Sequence, residues 1–87
     1  MHRPAVEKSL NEGVQHTYKF SNGLSVSAVK GPYTYGGAVD KWEIAVLTSE
    51  GEWFTREVFG DADDDVIGYI PNSKLQNYLN KVDEYGS

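Results

Sequence analysis

The chain has 87 residues and no cysteine, so it has room for one domain around one core, with no disulfide framework or cysteine-based zinc site to reinforce it. An apolar share of 39%, with two Trp, six Tyr and three Phe, excludes a disordered chain and gives an aromatic-weighted core. Eight Lys and Arg face thirteen Asp and Glu, for a net charge of −5.

The acidity is concentrated. Residues 49–66 carry seven carboxylates against Arg56 alone, whereas residues 1–30 carry four cations and two carboxylates. Such an imbalance argues against a nucleic-acid backbone as ligand and favours a partner with a basic surface. No apolar run has signal-peptide length, and none approaches the roughly 18 residues of a membrane span. The expectation is therefore the cytoplasm, with no membrane contact.

Residues 1–13 show no clear period, and a turn of helix over Ala5 to Leu10 would be bracketed closely by Pro4 and Gly13; this segment reads as a flexible arm ahead of a single α+β domain over residues 14–87. From Val14 the pattern alternates, with Val14, His16, Tyr18 and Phe20 on one face, which is the period of a half-buried strand over residues 14–20. Asn22-Gly23 then signals a hairpin, both residues tolerating the positive φ of a type I′ turn, and residues 24–30 return as a second strand. Gly31 to Gly37 is a shaped loop presenting Tyr33 and Tyr35. Residues 40–48 are apolar on both faces apart from Glu43, as expected of a central strand. A turn at residues 49–52, with Gly51 at positive φ, leads to a fourth strand over 53–59, setting Trp53 opposite Thr48 and pairing Trp42 with Phe59 in core or sheet-face packing. After the acidic turn, residues 66–70 form a connector or short strand. Leu75, Leu79 and Val82 then mark the buried stripe of a helix over 72–84, capped by Asn72 or Ser73 and ended by Gly86. The expected fold is α+β: an antiparallel meander of about four strands with one C-terminal helix packed on one face.

Asp61, Asp63, Asp64 and Asp65 are the chief functional lead. A calcium loop of EF-hand type would want acidic side chains at its first, third and fifth positions, which Asp61, Asp63 and Asp65 satisfy. It would also want glycine at the sixth and glutamate at the twelfth, where the chain has Val66 and Asn72. The competing readings are a solvated turn that keeps the domain soluble, a partner-binding patch, and an Asx-type turn in which Asp64 or Asp65 bonds nearby backbone amides. A catalytic carboxylate pair would need one carboxyl buried, which adjacent aspartates in an exposed turn do not provide. His2 falls in the arm, and His16 sits mid-strand as a packed, satisfied residue. The glycines of residues 31–37 lack the Lys-Ser/Thr ending of a phosphate-binding loop. No catalytic residue, cofactor site or metal site is assigned.

The succession Ser21-Asn22-Gly23, Tyr35-Gly36-Gly37, Trp42-Glu43-Ile44-Ala45-Val46-Leu47 and Asp64-Asp65-Val66-Ile67-Gly68 resembles a group of small bacteriophage-encoded accessory proteins, over roughly residues 18–83. The resemblance implies a protein acting in the infected host's cytoplasm and carries over no catalytic residue. Combined with the acidity, it leads to the expectation of a non-enzymatic phage protein. Such a protein would bind a host or phage protein with a basic surface through Tyr33, Tyr35, Asp61, Asp63, Asp64 and Asp65, acting as an inhibitor of a nucleic-acid enzyme or a defence system. The rival readings are a small-ligand or metal-ion binding domain using the same loops, and a structural homo-oligomer, a homodimer being the simplest, joined through a sheet edge.

Overall fold

The alternating segments of the chain pair as antiparallel strands of one sheet. The computed structural model describes residues 2–10, 13–31, 41–60, 62 and 64–86. Its strands are β1 (Val6–Leu10), β2 (Gly13–Lys19), β3 (Ser25–Lys30), β4 (Trp42–Leu47) and β5 (Ile67–Ile70), hydrogen-bonded in that order. A one-turn helix α1 (Thr55–Val58) interrupts the path from β4 to β5, and the long helix α2 (Asn72–Glu84) closes the chain. The α+β meander with one C-terminal helix is therefore as the sequence predicts, with five strands in place of about four.

Two segments exchange roles relative to that expectation. Residues 6–10, read as part of a flexible arm, form the edge strand β1, with Val6 opposite Thr17 and Leu10 opposite Gly13. Val6, Glu7, Lys8 and Ser9 all remain exposed, so among these four residues no buried face marks the strand. The start of the chain is docked as well: the backbone N–H of His2 donates to Gln76 Oε1 at 2.8 Å, and Gln76 Nε2 donates back to the His2 carbonyl at 3.0 Å.

Conversely, residues 53–59 are not a strand. The chain turns at Thr48 to Glu52 with Gly51 at φ 83°, makes a single bridge between Trp53 and Leu47, and then coils into α1. Thr55 explains the departure. Its Oγ1 accepts the Val46 N–H at 2.9 Å and donates to the Asp65 carbonyl at 2.6 Å, so a side chain replaces a neighbouring strand at that point of β4. The place beside β4 goes to β5, whose Ile70 faces Trp42 where Phe59 was expected. Phe59 packs instead against Tyr78, ring centroids 5.4 Å apart.

The core lies between the sheet and α2. Leu75, Leu79 and Val82 are buried as the stripe requires, against Val26, Ile44, Val46 and Ile70 from the strands. The β2–β3 turn is not type I′, since only Gly23 has positive φ (88°). Gly23 N–H bonds to the Phe20 carbonyl at 3.2 Å and Phe20 N–H to the Leu24 carbonyl at 3.0 Å, a three-residue loop with glycine at its left-handed position. Nor do Asn72 or Ser73 cap α2. Pro71 occupies the cap position with no side-chain bond, and Asn72 Oδ1 is taken by the indole N–H of Trp42. Gly86, at φ 80°, ends the helix as expected.

Candidate protein-binding face

The connection from β4 to β5 carries the acidic residues of the sequence reading, and α1 sets their spacing. Glu50 and Glu52 sit on the exposed turn after β4, Glu57 is exposed on α1, and Asp64 is exposed just before β5. Asp65 is half-buried. Its carbonyl is held by Thr55, and its carboxylate lies 3.7 Å from Arg56 Nε, so the one cation of this stretch is engaged by one of its carboxylates. Asp64 Oδ1 accepts the Asp65 N–H at 2.8 Å, a bond to the next residue rather than the Asx turn considered from the sequence, which would reach the amide two residues on. Thr55 is completely buried, so the acidic turn is pinned to the sheet by a buried hydroxyl.

Tyr33, Tyr35, Asp61 and Asp63 lie outside the described residues, and with them two of the three side chains on which the calcium reading rests. The flanks of the tyrosine loop are described. Gly31 follows the end of β3, and Lys41 precedes Trp42 at the start of β4. Val46, which Thr55 ties to Asp65, is five residues further along β4, about 16 Å at strand rise. The Asp64–Asp65 turn and the flanks of the tyrosine loop thus stand toward opposite ends of the sheet.

Two exposed aromatic residues were not anticipated. Trp53, expected on a fourth strand opposite Thr48, is 58% exposed. It stands in sequence between Glu52 and Glu57, on the turn that leaves β4. Tyr69, on β5, is 64% exposed and has φ 60°, a left-handed backbone that a large side chain adopts only at a cost of about 1–3 kcal/mol. No signal in the sequence marked Trp53's exposure: a segment that leaves its strand after one bridge loses its burial on that side.

A second group of ionisable side chains converges on the helix-covered face of β1, β2 and β3. His16 Nε2 lies 3.4 Å from Glu7 Oε1 and its ring is tilted against Trp42 at 5.1 Å, while Lys30 Nζ sits 5.1 Å from the Trp42 ring. His16 is therefore packed and partnered, as read from the sequence. Burial, and secondarily the Glu7 charge, push the Tyr18 hydroxyl above its usual pKa. Among the described residues no three His, Asp or Glu side chains converge as a metal site. No helix among them is long and apolar enough to cross a membrane.

Compared with known proteins, the chain matches no family model, no curated sequence and no solved structure.

Proposed function

We propose that the chain is a non-enzymatic accessory protein of bacteriophage type that binds a host or phage protein carrying a basic surface. The observation that carries this reading is the β4–β5 connection, where exposed Glu50, Glu52, Glu57 and Asp64 surround exposed Trp53 in sequence and Arg56 is drawn to Asp65. A tryptophan offers large contact area at low entropic cost, and such residues dominate the energy of protein interfaces. Surrounding carboxylates speed encounter with a basic patch and repel nucleic acid. An acidic domain of this size can occupy a groove built for nucleic acid, which accounts for an inhibitory role toward a nucleic-acid enzyme or a defence system.

The test is capture of a partner from infected-cell lysate by the wild-type chain and by a variant carrying Glu50→Gln, Glu52→Gln, Glu57→Gln and Asp64→Asn. The wild type retains a partner that elutes as salt rises from about 50 to 500 mM, and the variant associates with it more slowly. Equal capture by both, insensitive to salt, would remove the acidic face from the interface.

A further inference from the structure

Helix α2 covers one face of the sheet. Tyr18, Val26 and Val46 stand opposite one another and are buried beneath it, so the residues that alternate with them point to the outer face. The registers arrange that face in three cross-strand rows about 7 Å apart, running from Lys8 on β1 to Glu43 on β4, from Val6 on β1 to Ala45 on β4, and from Lys19 on β2 to Leu47 on β4. Trp53 bridges Leu47 and so extends the third row. Tyr69 bulges with Gly68 opposite Glu43, between core-facing Ile67 and Ile70, and so ends the first row on β5. Val6, Trp53 and Tyr69 are 50%, 58% and 64% exposed, and all three lie on this face. The face is also polarised: β1 and β2 bring exposed Lys8 and Lys19, β4 brings Glu43, and exposed Glu50 and Glu52 precede Trp53. Lys41 precedes β4 and falls outside these rows.

We propose that this outer face binds a second copy of the chain, stacked sheet on sheet about a two-fold axis that runs parallel to the strands at β3. Such an axis lays β1 over β5 and β2 over β4 of the second copy while each row keeps its level. Val6 then falls between Tyr69 and Trp53 of the second copy, which accounts for all three exposed apolar side chains by one operation. Lys8 comes to the level of Glu43 and Tyr69, and Lys19 to that of Leu47 and Trp53, whose ring attracts an ammonium. A two-fold across the strands would instead lay β1 over β1, bringing the lysine-bearing strands together and the acidic ends together. Charge complementarity therefore selects both the occupant and its orientation. The net charge of −5 on each copy opposes approach only at long range, and salt screens it beyond about 10 Å at moderate ionic strength. The inference goes beyond the reading of a basic partner; because Trp53 serves both, such a partner competes with the second copy.

The test is sedimentation equilibrium of the full chain as wild type and as the variants Lys8→Glu and Glu43→Lys. The wild type should dimerise, and each variant alone should associate about tenfold or more weakly. An equimolar mixture of the two variants should regain the dimer, because each opposed pair again carries opposite charges, and that regain shows that neither variant fails by misfolding. If Glu43→Lys lowers the thermal midpoint, NMR contacts from the Val6 methyls to the Trp53 and Tyr69 rings, read between differently labelled wild-type chains, decide the matter, and a dimer without them overturns the inference. So does a mixture of well-folded variants that stays as weak as either alone. A wild type that remains monomeric at millimolar concentration, or a dimer joined through the edge of β1 or β5, also overturns it and leaves the acidic-face reading standing, since capture of a basic partner needs no second copy.

Discussion

Asn22 Nδ2 donates to the Val82 carbonyl at 2.8 Å, joining residues 60 apart in sequence. The same amide reaches the Tyr85 carbonyl at 3.3 Å, while Asn22 Oδ1 accepts the Leu24 N–H at 3.1 Å. The last carbonyls of a helix lack the usual partner within it; Val82's accepts the Tyr85 N–H at 3.2 Å, and Asn22 of the β2–β3 loop adds a second donor there. Replacing Asn22 with Ala should cost about 1 kcal/mol. Asn22→Asp should cost more, because it removes the donor and sets a negative charge at the negative end of the helix dipole. Denaturant midpoints at unchanged slope measure both, and equal stability of all three proteins would show that this contact contributes nothing.

Thr55→Val keeps the shape of a buried side chain and removes both of its hydrogen bonds. The Val46 N–H and the Asp65 carbonyl would each lose a partner, at about 1–3 kcal/mol for a group that stays buried. Thr55→Ser should restore most of the loss, since the hydroxyl remains. Hydrogen exchange at the Val46 amide gives the local reading: it should accelerate in the valine variant and stay slow in the serine one.

Leu79 is fully buried at the centre of the α2 stripe. Leu79→Ala should destabilise the domain by about 2–5 kcal/mol, a large share of the roughly 5–15 kcal/mol typical of a small protein. An unchanged midpoint in chemical denaturation would mean that α2 is not docked on the sheet in solution.

Tyr18 makes stability fall in alkali. Burial, with the Glu7 charge second, raises its pKa in the folded protein above the usual 10.0, so folding favours the protonated hydroxyl. That contribution is fully present below the unfolded value and is lost as pH rises through the folded one. Tyr18→Phe should therefore flatten the decline in stability above about pH 10 relative to the wild type. Glu7→Gln should reduce it to a smaller degree. Parallel curves for the wild type and Tyr18→Phe would exclude the linkage.

Features set by neighbours in sequence were legible. The stripe of Leu75, Leu79 and Val82 predicts a helix with one buried face, and the glycines at 23, 51 and 86 occupy the left-handed positions that turns and a helix end require. Alternation locates β2 and β3, and the run from Trp42 marks a strand apolar on both faces, with Ala45 buried opposite the helix-covered side. In the acidic segment, the sequence alone determined the local charge.

What lies beside what was decided only by tertiary structure. Residues 6–10 show no alternation of buried and exposed side chains among Val6, Glu7, Lys8 and Ser9, and they become a strand because the open backbone edge of β2 offers hydrogen bonds that no side-chain pattern announces. Residues 53–59 have the composition of a strand, but the Thr55 hydroxyl satisfies Val46 and Asp65 together, which turns the chain away and leaves the position beside β4 to β5. That exchange exposes Trp53 and brings Ile67 and Ala62 to one groove with Tyr78 of α2. Local propensity acts over a few bonds, whereas competition between two segments for one sheet edge is settled by a single buried hydroxyl and the packing it permits.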